Sequence, residues 1–320
     1  MKVGIPRALL YYQYFPGWKA FFQTLGVEVV VSPPTTKAII NEGIKVAVDE
    51  TCLPVKVFFG HVRELVRQKV DFIFVPRIVS VEEARFLCPK FLGLPEMTSQ
   101  LCGELPYILQ PEIDLSRKGK DFFAPLKKIA SRFTLNPWRR RRALVAAQEN
   151  LSAYRQQLLS GMTPASLLNG VRSNSFTWDL TFGVVGHPYN LNDSLLSVAL
   201  FERLGKMGVR IITPEMLDEQ KLNEGVRYLQ KDIFWTFGWQ AVGAANYLSQ
   251  HKVIDGIISV ASFGCGPDSL IMELIERRLK RMRNTVPLLT LVLDEHSGEA
   301  GLVTRLEAFI DMVRWRRKAR

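Results

Sequence analysis

The sequence predicts an α/β protein of two lobes with mainly parallel sheets, pseudo-repeated along the chain and joined by a helical connector. Three observations predict it. Short apolar runs alternate with amphipathic stretches of helical period, the pattern of parallel strands covered by helices. Gly4, Pro6, Gly26 and Val27 recur at identical spacing as Gly186, Pro188, Gly208 and Val209, and the pair Val29, Val30 recurs as Ile211, Ile212. Such matched spacing is the mark of an internal repeat. A chain of 320 residues also exceeds one typical domain and suffices for two, each with its own core.

In chain order, Lys2 to Ile5 reads as a strand, Tyr11 to Leu25 as a helix stopped by Gly26, and Val27 to Val31 as a second strand. "TTKAIINEGI" supplies the next helix and Pro54 to Gln68 another. "VDFIFVP" (Val70 to Pro76) is a continuous apolar run of the kind a strand buried on both faces shows. From Lys118 to about Met162 charged helical sequence replaces the strand signals, which marks the connector. "TFGVVGHPYN" (Thr181 to Asn190) resets to a strand, and "VIDGIISV" (Val253 to Val260) is a looser counterpart of "KVDFIFV". The expected boundaries are 1–117 for the first lobe, 118–175 for the connector and 176–320 for the second lobe. Two such lobes facing each other make a cleft, and ligands of open α/β sheets sit beyond the carboxyl ends of the strands.

Composition narrows the functional classes. Hydrophobic residues make up 47% and charged residues 23%, ordinary for a globular chain, and no apolar run reaches the length of a spanning helix. The opening "MKVGIPRALLYY" passes straight into a strand without an export signal, so a cytoplasmic setting is expected. The net charge of +11 is concentrated in "WRRRR" (Trp138 to Arg142), "ERRLKRMR" (Glu276 to Arg283) and "RWRRKAR" (Arg314 to Arg320). No nucleic-acid-binding motif accompanies it, so solvated helix faces are expected ahead of a surface for an acidic or phosphate-bearing partner.

Three of the four cysteines share one local context. Cys52 is followed at the second position by Pro54, Cys88 directly by Pro89, and Cys265 at the second position by Pro267. Proline suits a first helical turn. Cys52 and Cys265 are therefore expected at helix N-termini, where the dipole favours thiolate. Gly264 and Gly266 would let the backbone near Cys265 approach a bulky group. Each cysteine alone reads as a small buried hydrophobe; three with one local chemistry point to metal. No C-x-x-C pair is present, so a site must be assembled from distant segments, and zinc or an iron–sulfur cluster both suit thiolate ligands. Cys102, in "QLCGELP", lacks a nearby proline and is either a fourth ligand or a bystander.

"GIPRALLYYQYFPGWKAFFQTLGVEVVVS", "DETCLPVKVFFGHV", "VDFIFVPRIVS", "CPKFLGLP", "SFGCGPDSL" and "LDEHSGEAGLVTRLEAFID" together resemble the acyl-CoA dehydratase activase-related proteins, relatives of 2-hydroxyacyl-CoA dehydratase subunits and of double-cubane-cluster proteins. The resemblance covers nearly the whole chain and is weakest over the connector. It implies Rossmann-like lobes with a [4Fe–4S]-type cluster between them, held by Cys52, Cys88 and Cys265, in an oxygen-sensitive protein of anaerobic metabolism. It also implies ATP-driven, low-potential electron transfer, with the ATPase a separate protein of the acetate-kinase/actin type, since no Walker-type loop is present here. A related second subunit or a homodimer fits the same picture. Neither nucleic acid nor membrane is an expected partner. A double cubane would need more thiolates than one chain offers.

Two other classes stay open: a non-catalytic cluster carrier or scaffold for a partner enzyme, and a zinc-stabilised or metal-free small-ligand-binding module. Among remaining residues, Glu295, His296 and Glu299 follow the apolar strand "VPLLTLVL", where an acid/base group or a donor to a cluster would belong; a helix cap at Ser297 explains them equally well. His187 and His61 are alternatives. The aromatics of "YYQYFPGW" and "FWTFGW" are expected to pack a core. The glycine turns do not follow G-x-G-x-x-G, which excludes a nicotinamide site of that type.

Overall fold

The structure, a computed structural model, describes residues 1–170, 177–282 and 286–319. The expected lobe boundary at 175/176 lies outside these residues, as do Arg283 and Arg320 of the basic runs. The chain divides into two compact units, the first Met1–Gln157 with Phe234–Thr236, the second Leu158–Ile233 with Phe237–Arg320.

Unit one begins β1 (Lys2–Ile5), α1 (Tyr11–Thr24), β2 (Glu28–Val31), α2 (Lys37–Ile44), α3 (Leu53–Arg67) and β3 (Phe72–Phe74). It continues with β4 (Arg77–Ser80), α4 (Pro89–Leu92), α5 (Leu94–Leu101), β5 (Tyr107–Leu109), β6 (Glu112–Asp114), α6 (Leu126–Phe133) and α7 (Pro137–Leu159). A parallel sheet of order β2-β1-β3-β5 forms its centre, and β4 pairs with β6 in a small second sheet. Helix α1 carries Tyr11, Phe15, Trp18, Phe21 and Phe22 into the core, and Gly26 at φ +75° ends the turn that follows it. Pro16 inside α1 removes the N–H that would bond the Tyr12 carbonyl; that carbonyl instead accepts the Tyr154 hydroxyl of α7 at 2.7 Å. A helix-breaking residue thus becomes the anchor for the long charged helix.

Unit two holds α8 (Pro164–Asn169), β7 (Leu180–Gly186), α9 (Pro188–Asn192), α10 (Leu200–Lys206), β8 (Val209–Ile212), α11 (Glu219–Val226) and the body of α12 (Thr236–Gln250). β9 (Gly256–Ser262), α13 (Gly266–Arg281), β10 (Leu288–Leu293) and α14 (Glu299–Lys318) complete it. Its sheet is parallel with order β8-β7-β9-β10. One face packs Phe182, Leu306, Phe309 and Ile310; the other packs Trp239, Leu248, Ile257 and Ile275. Both units are therefore open α/β sheets with helices on the faces, in the same strand order, and the mainly parallel Rossmann-like reading holds.

The repeat is real, and its register differs from the one the sequence suggests. Val3 lies between Val29 and Phe72, and Phe182 lies between Ile211 and Gly256. Gly4 accordingly corresponds to Gly183, not Gly186: a Cβ on Gly4 would meet Leu65 and Val70, one on Gly183 Leu248 and Ile254. β7 is three residues longer than β1, starting one residue earlier and ending two later in the matched register, so the Gly–x–Pro spacing matched while the strands did not. The same device fixes both first strands. Asp71 accepts the Lys2 N–H at 2.7 Å, and Asp255 accepts the Thr181 N–H at 2.8 Å. Gly43 and Gly60 let α2 and α3 touch backbone to backbone, as Gly225 and Gly243 do for α11 and α12.

The pair β4 and β6 was not legible in advance, because "RIVS" and "EID" are too short to carry a period. The basic runs are largely surface features. Trp138 is exposed, Arg277 pairs with Glu273 and Lys280 with Glu276, and Arg314 forks onto Asp179 at 2.9 and 3.0 Å. Among the described residues no helix is long and apolar enough to cross a membrane.

Candidate functional site

Three of the four cysteines sit at helix N-caps. Cys52 caps α3, Cys88 caps α4, and Cys265 caps α13, each followed by proline in the first turn. The local reason is the one proline dictates: its fixed φ and missing N–H fit the position where a helix starts. The carbonyl of Cys52 accepts from Val55 and Lys56, and that of Cys265 from Ser269, so both cysteines are tied into their first turns. Cys88 is held from the other side, where Leu87 bonds to Val79 and Phe86 pairs with Phe234 and Thr236. All three are half-buried and outside any disulfide.

Cys102 differs. It lies at the end of α5, 5% exposed, and burial pushes its thiol up to about 12, with Arg63 only partly opposing. A thiol in that state is held as a neutral, apolar group at neutral pH.

In unit two the sequence-distant residues His187, Cys265 and Asp268 meet. β7 and β9 are adjacent parallel strands with Gly186 opposite Val260, so the residues just past their carboxyl ends fall side by side. His187 Nδ1 lies 2.9 Å from Asp268 Oδ1, 3.0 Å from Oδ2 and 4.0 Å from Cys265 Sγ. The ring stacks on Tyr189 at 5.1 Å and meets the edge of Phe237, which fixes its plane. Asp268 also accepts the Ser262 N–H at 3.4 Å, and the Ser262 hydroxyl donates to Asn190 Oδ1 at 3.1 Å. His187, Asp268, Ser262 and Asn190 are all buried. Sequence reasoning singled out His187 only as an alternative and passed over Asp268. The signal was the first turn of α13, which puts an aspartate three residues after the cysteine, beside the strand that ends at "GHP".

The other candidates separate from this cluster. His296 is exposed in the loop after β10, where its N–H and the Ser297 hydroxyl both bond to Asp294 Oδ1. The cap of α14 is Gly298, not Ser297, and Glu299 pairs with Arg203 at 2.5 Å. Glu295 lies in the same loop. His61 is fully buried in α3, with Nε2 3.0 Å from Thr35 Oγ1, and desolvation followed by the Arg7 charge brings its imidazole down to about 3. Gly264 adopts φ +76°, so its need is conformational; a Cβ at Gly266 would meet open space.

A family model described as a CoA enzyme activase uncharacterised domain matches residues 2–217, a span that contains Cys52, Cys88, Cys102 and His187 and stops short of Cys265 and Asp268. No curated protein matches the chain. Among solved structures, GanP, a glucose-galactose binding protein from Geobacillus stearothermophilus, aligns with 98% of this chain and 90% of its own at 16% identity, with a TM-score of 0.23. A likeness that weak carries no argument about fold or ligand.

Proposed function

The chain belongs to the CoA enzyme activase uncharacterised domain family, and from that premise we propose that it is an iron–sulfur component of a low-potential electron-transfer or reductive system acting with a CoA-dependent enzyme. Cys52, Cys88 and Cys265 are the thiolate ligands in this reading, and a [4Fe–4S]-type cluster is the group they hold. The observation that carries it is the partition of the four cysteines: three half-buried at helix N-caps, one buried with its thiol driven towards the neutral form. The donor set fits, since a cluster is bound through cysteine thiolates and a helix start favours the thiolate. Such a cluster supplies one-electron transfer. What the chain's own residues contribute is ligation, the backbone dipoles of α3 and α13 beside the sulfurs, and a half-buried setting that limits water. Electrons would arrive from a separate ATP-dependent partner of the actin-like type.

Anaerobic purification followed by electron paramagnetic resonance before and after reduction tests the reading. A reducible cluster signal is the expected result. A colourless protein with no iron-dependent signal in either state overturns it.

A further inference from the structure

His187, Cys265 and Asp268 bring three different donor atoms together: an imidazole nitrogen, a thiol sulfur and a carboxylate oxygen, all within 4.8 Å of one another. The arrangement is not that of a nucleophilic triad. In a triad the thiol faces one ring nitrogen and the carboxylate the other, so that the ring passes a proton between them. Here sulfur and carboxylate approach the same atom, Nδ1. Three donor atoms gathered on one side of the ring, all within 4.8 Å, are instead what a single cation requires.

The distances suit a tetrahedral ion. With metal–nitrogen, metal–oxygen and metal–sulfur bonds of about 2.0, 2.1 and 2.3 Å, a tetrahedron spaces nitrogen from oxygen by about 3.4 Å and nitrogen from sulfur by about 3.5 Å. The observed separations are 2.9 and 4.0 Å. The first must open and the second close by about half an ångström, and the sulfur–carboxylate edge, within the 4.8 Å span of the cluster, must draw in towards about 3.6 Å, movements that rotation of the Cys265 and Asp268 side chains provides. A second observation points the same way. Asn190 is 2% exposed, its Oδ1 is taken by Ser262, and its Nδ2 has no partner among the described residues. A buried amide donor left over, linked to Asp268 through Ser262 by two hydrogen bonds, matches the need of an oxygen ligand in the fourth coordination position.

We propose that Cys265, His187 and Asp268 bind one borderline divalent cation of the zinc type within unit two, with the fourth position taken by water or by a ligand oxygen that accepts from Asn190. On binding, the Cys265 thiol loses its proton to solvent and the imidazole carries its remaining proton on Nε2, leaving Nδ1 to the metal. The inference goes beyond the cluster reading and shares only the Cys265 sulfur with it, so the two metals compete for that thiolate.

Cobalt(II) is the probe. The full chain, stripped of metal under anaerobic conditions, is titrated while thiolate-to-cobalt charge transfer and the ligand-field bands are followed, with zinc then displacing cobalt. One equivalent with tetrahedral band intensity is expected. Charge transfer disappears in Cys265→Ser, affinity falls at least about tenfold in His187→Gln and Asp268→Asn, and Cys52→Ser and Cys88→Ser titrate as wild type. Zinc also raises the melting temperature of the wild type and not of Cys265→Ser, a readout that does not depend on how well the His187 variant folds. Unchanged cobalt affinity in His187→Gln, or equal loss in Cys52→Ser, overturns the site. Iron and sulfide loading of His187→Gln keeps the two readings apart. Loading at the wild-type level leaves the cluster intact whatever cobalt does, and a wild type that takes cobalt through Cys265 but never iron and sulfide removes the cluster alone.

Discussion

Acidification should destabilise unit one through a single buried imidazole. His61 is fully enclosed in α3; its Nε2 meets Thr35, and its Nδ1 has no partner among the described residues. Desolvation first, and the Arg7 charge second, hold it at about 3, well below the ordinary imidazole value of about 6.5. The folded-state value is the depressed one, so the unfolded chain binds the proton first. Stability is complete above about pH 6.5 and drains as pH falls towards about 3, by about 1.4 kcal/mol per pH unit. Between about pH 6.5 and pH 5 this costs about 2 kcal/mol. Urea denaturation of the wild type and of His61→Gln, at about pH 7.5 and about pH 5, measures it. The variant keeps a donor for Thr35 and has nothing to protonate, so the wild type should lose about 2 kcal/mol more than the variant on acidification. Parallel losses in the two proteins would refute the assignment of the pH response to His61.

The remaining predictions concern the repeat and the thiols. Gly43→Ala and Gly225→Ala should each cost about 3 kcal/mol, because the added methyl falls within the carbonyls of Lys56 and Gly243; calorimetry should show both melting transitions lowered, whereas Gly266→Ala, with open space around its Cβ, should stay within about 0.5 kcal/mol of wild type. Asp71→Ala and Asp255→Ala remove equivalent bonds to the first strand of each unit and should each destabilise by about 1 to 2 kcal/mol in the same assay; a neutral result at one site would show that the repeat is topological only. In the metal-free native protein an alkylating reagent at neutral pH should label Cys52, Cys88 and Cys265 and spare Cys102, which mass spectrometry resolves; early labelling of Cys102 would contradict its burial.

Local chemistry carried the fold. β1, α1 and α3 were legible to within about two residues because apolar period, glycine stops and proline starts all coincide there. The same logic put Cys52 and Cys265 at helix starts, since proline answers to its nearest neighbours alone. The strand register was not legible: the Gly4 and Gly186 spacing gave no sign that β7 is three residues longer than β1, and only pairing with Gly256 and Ile211 reveals it. The His187 and Asp268 contact was hidden for a related reason. The two residues are 81 positions apart and meet because β7 and β9 are neighbours in the sheet, an order that sequence period does not encode.

Iron and acid-labile sulfide bound per chain, measured on the anaerobically reconstituted wild type and on its four single Cys→Ala variants, tests the central claim most directly. The account predicts a loaded wild type, loss of iron in Cys52→Ala, Cys88→Ala and Cys265→Ala, and full loading in Cys102→Ala. Full loading in Cys88→Ala, or loss in Cys102→Ala alone, contradicts it.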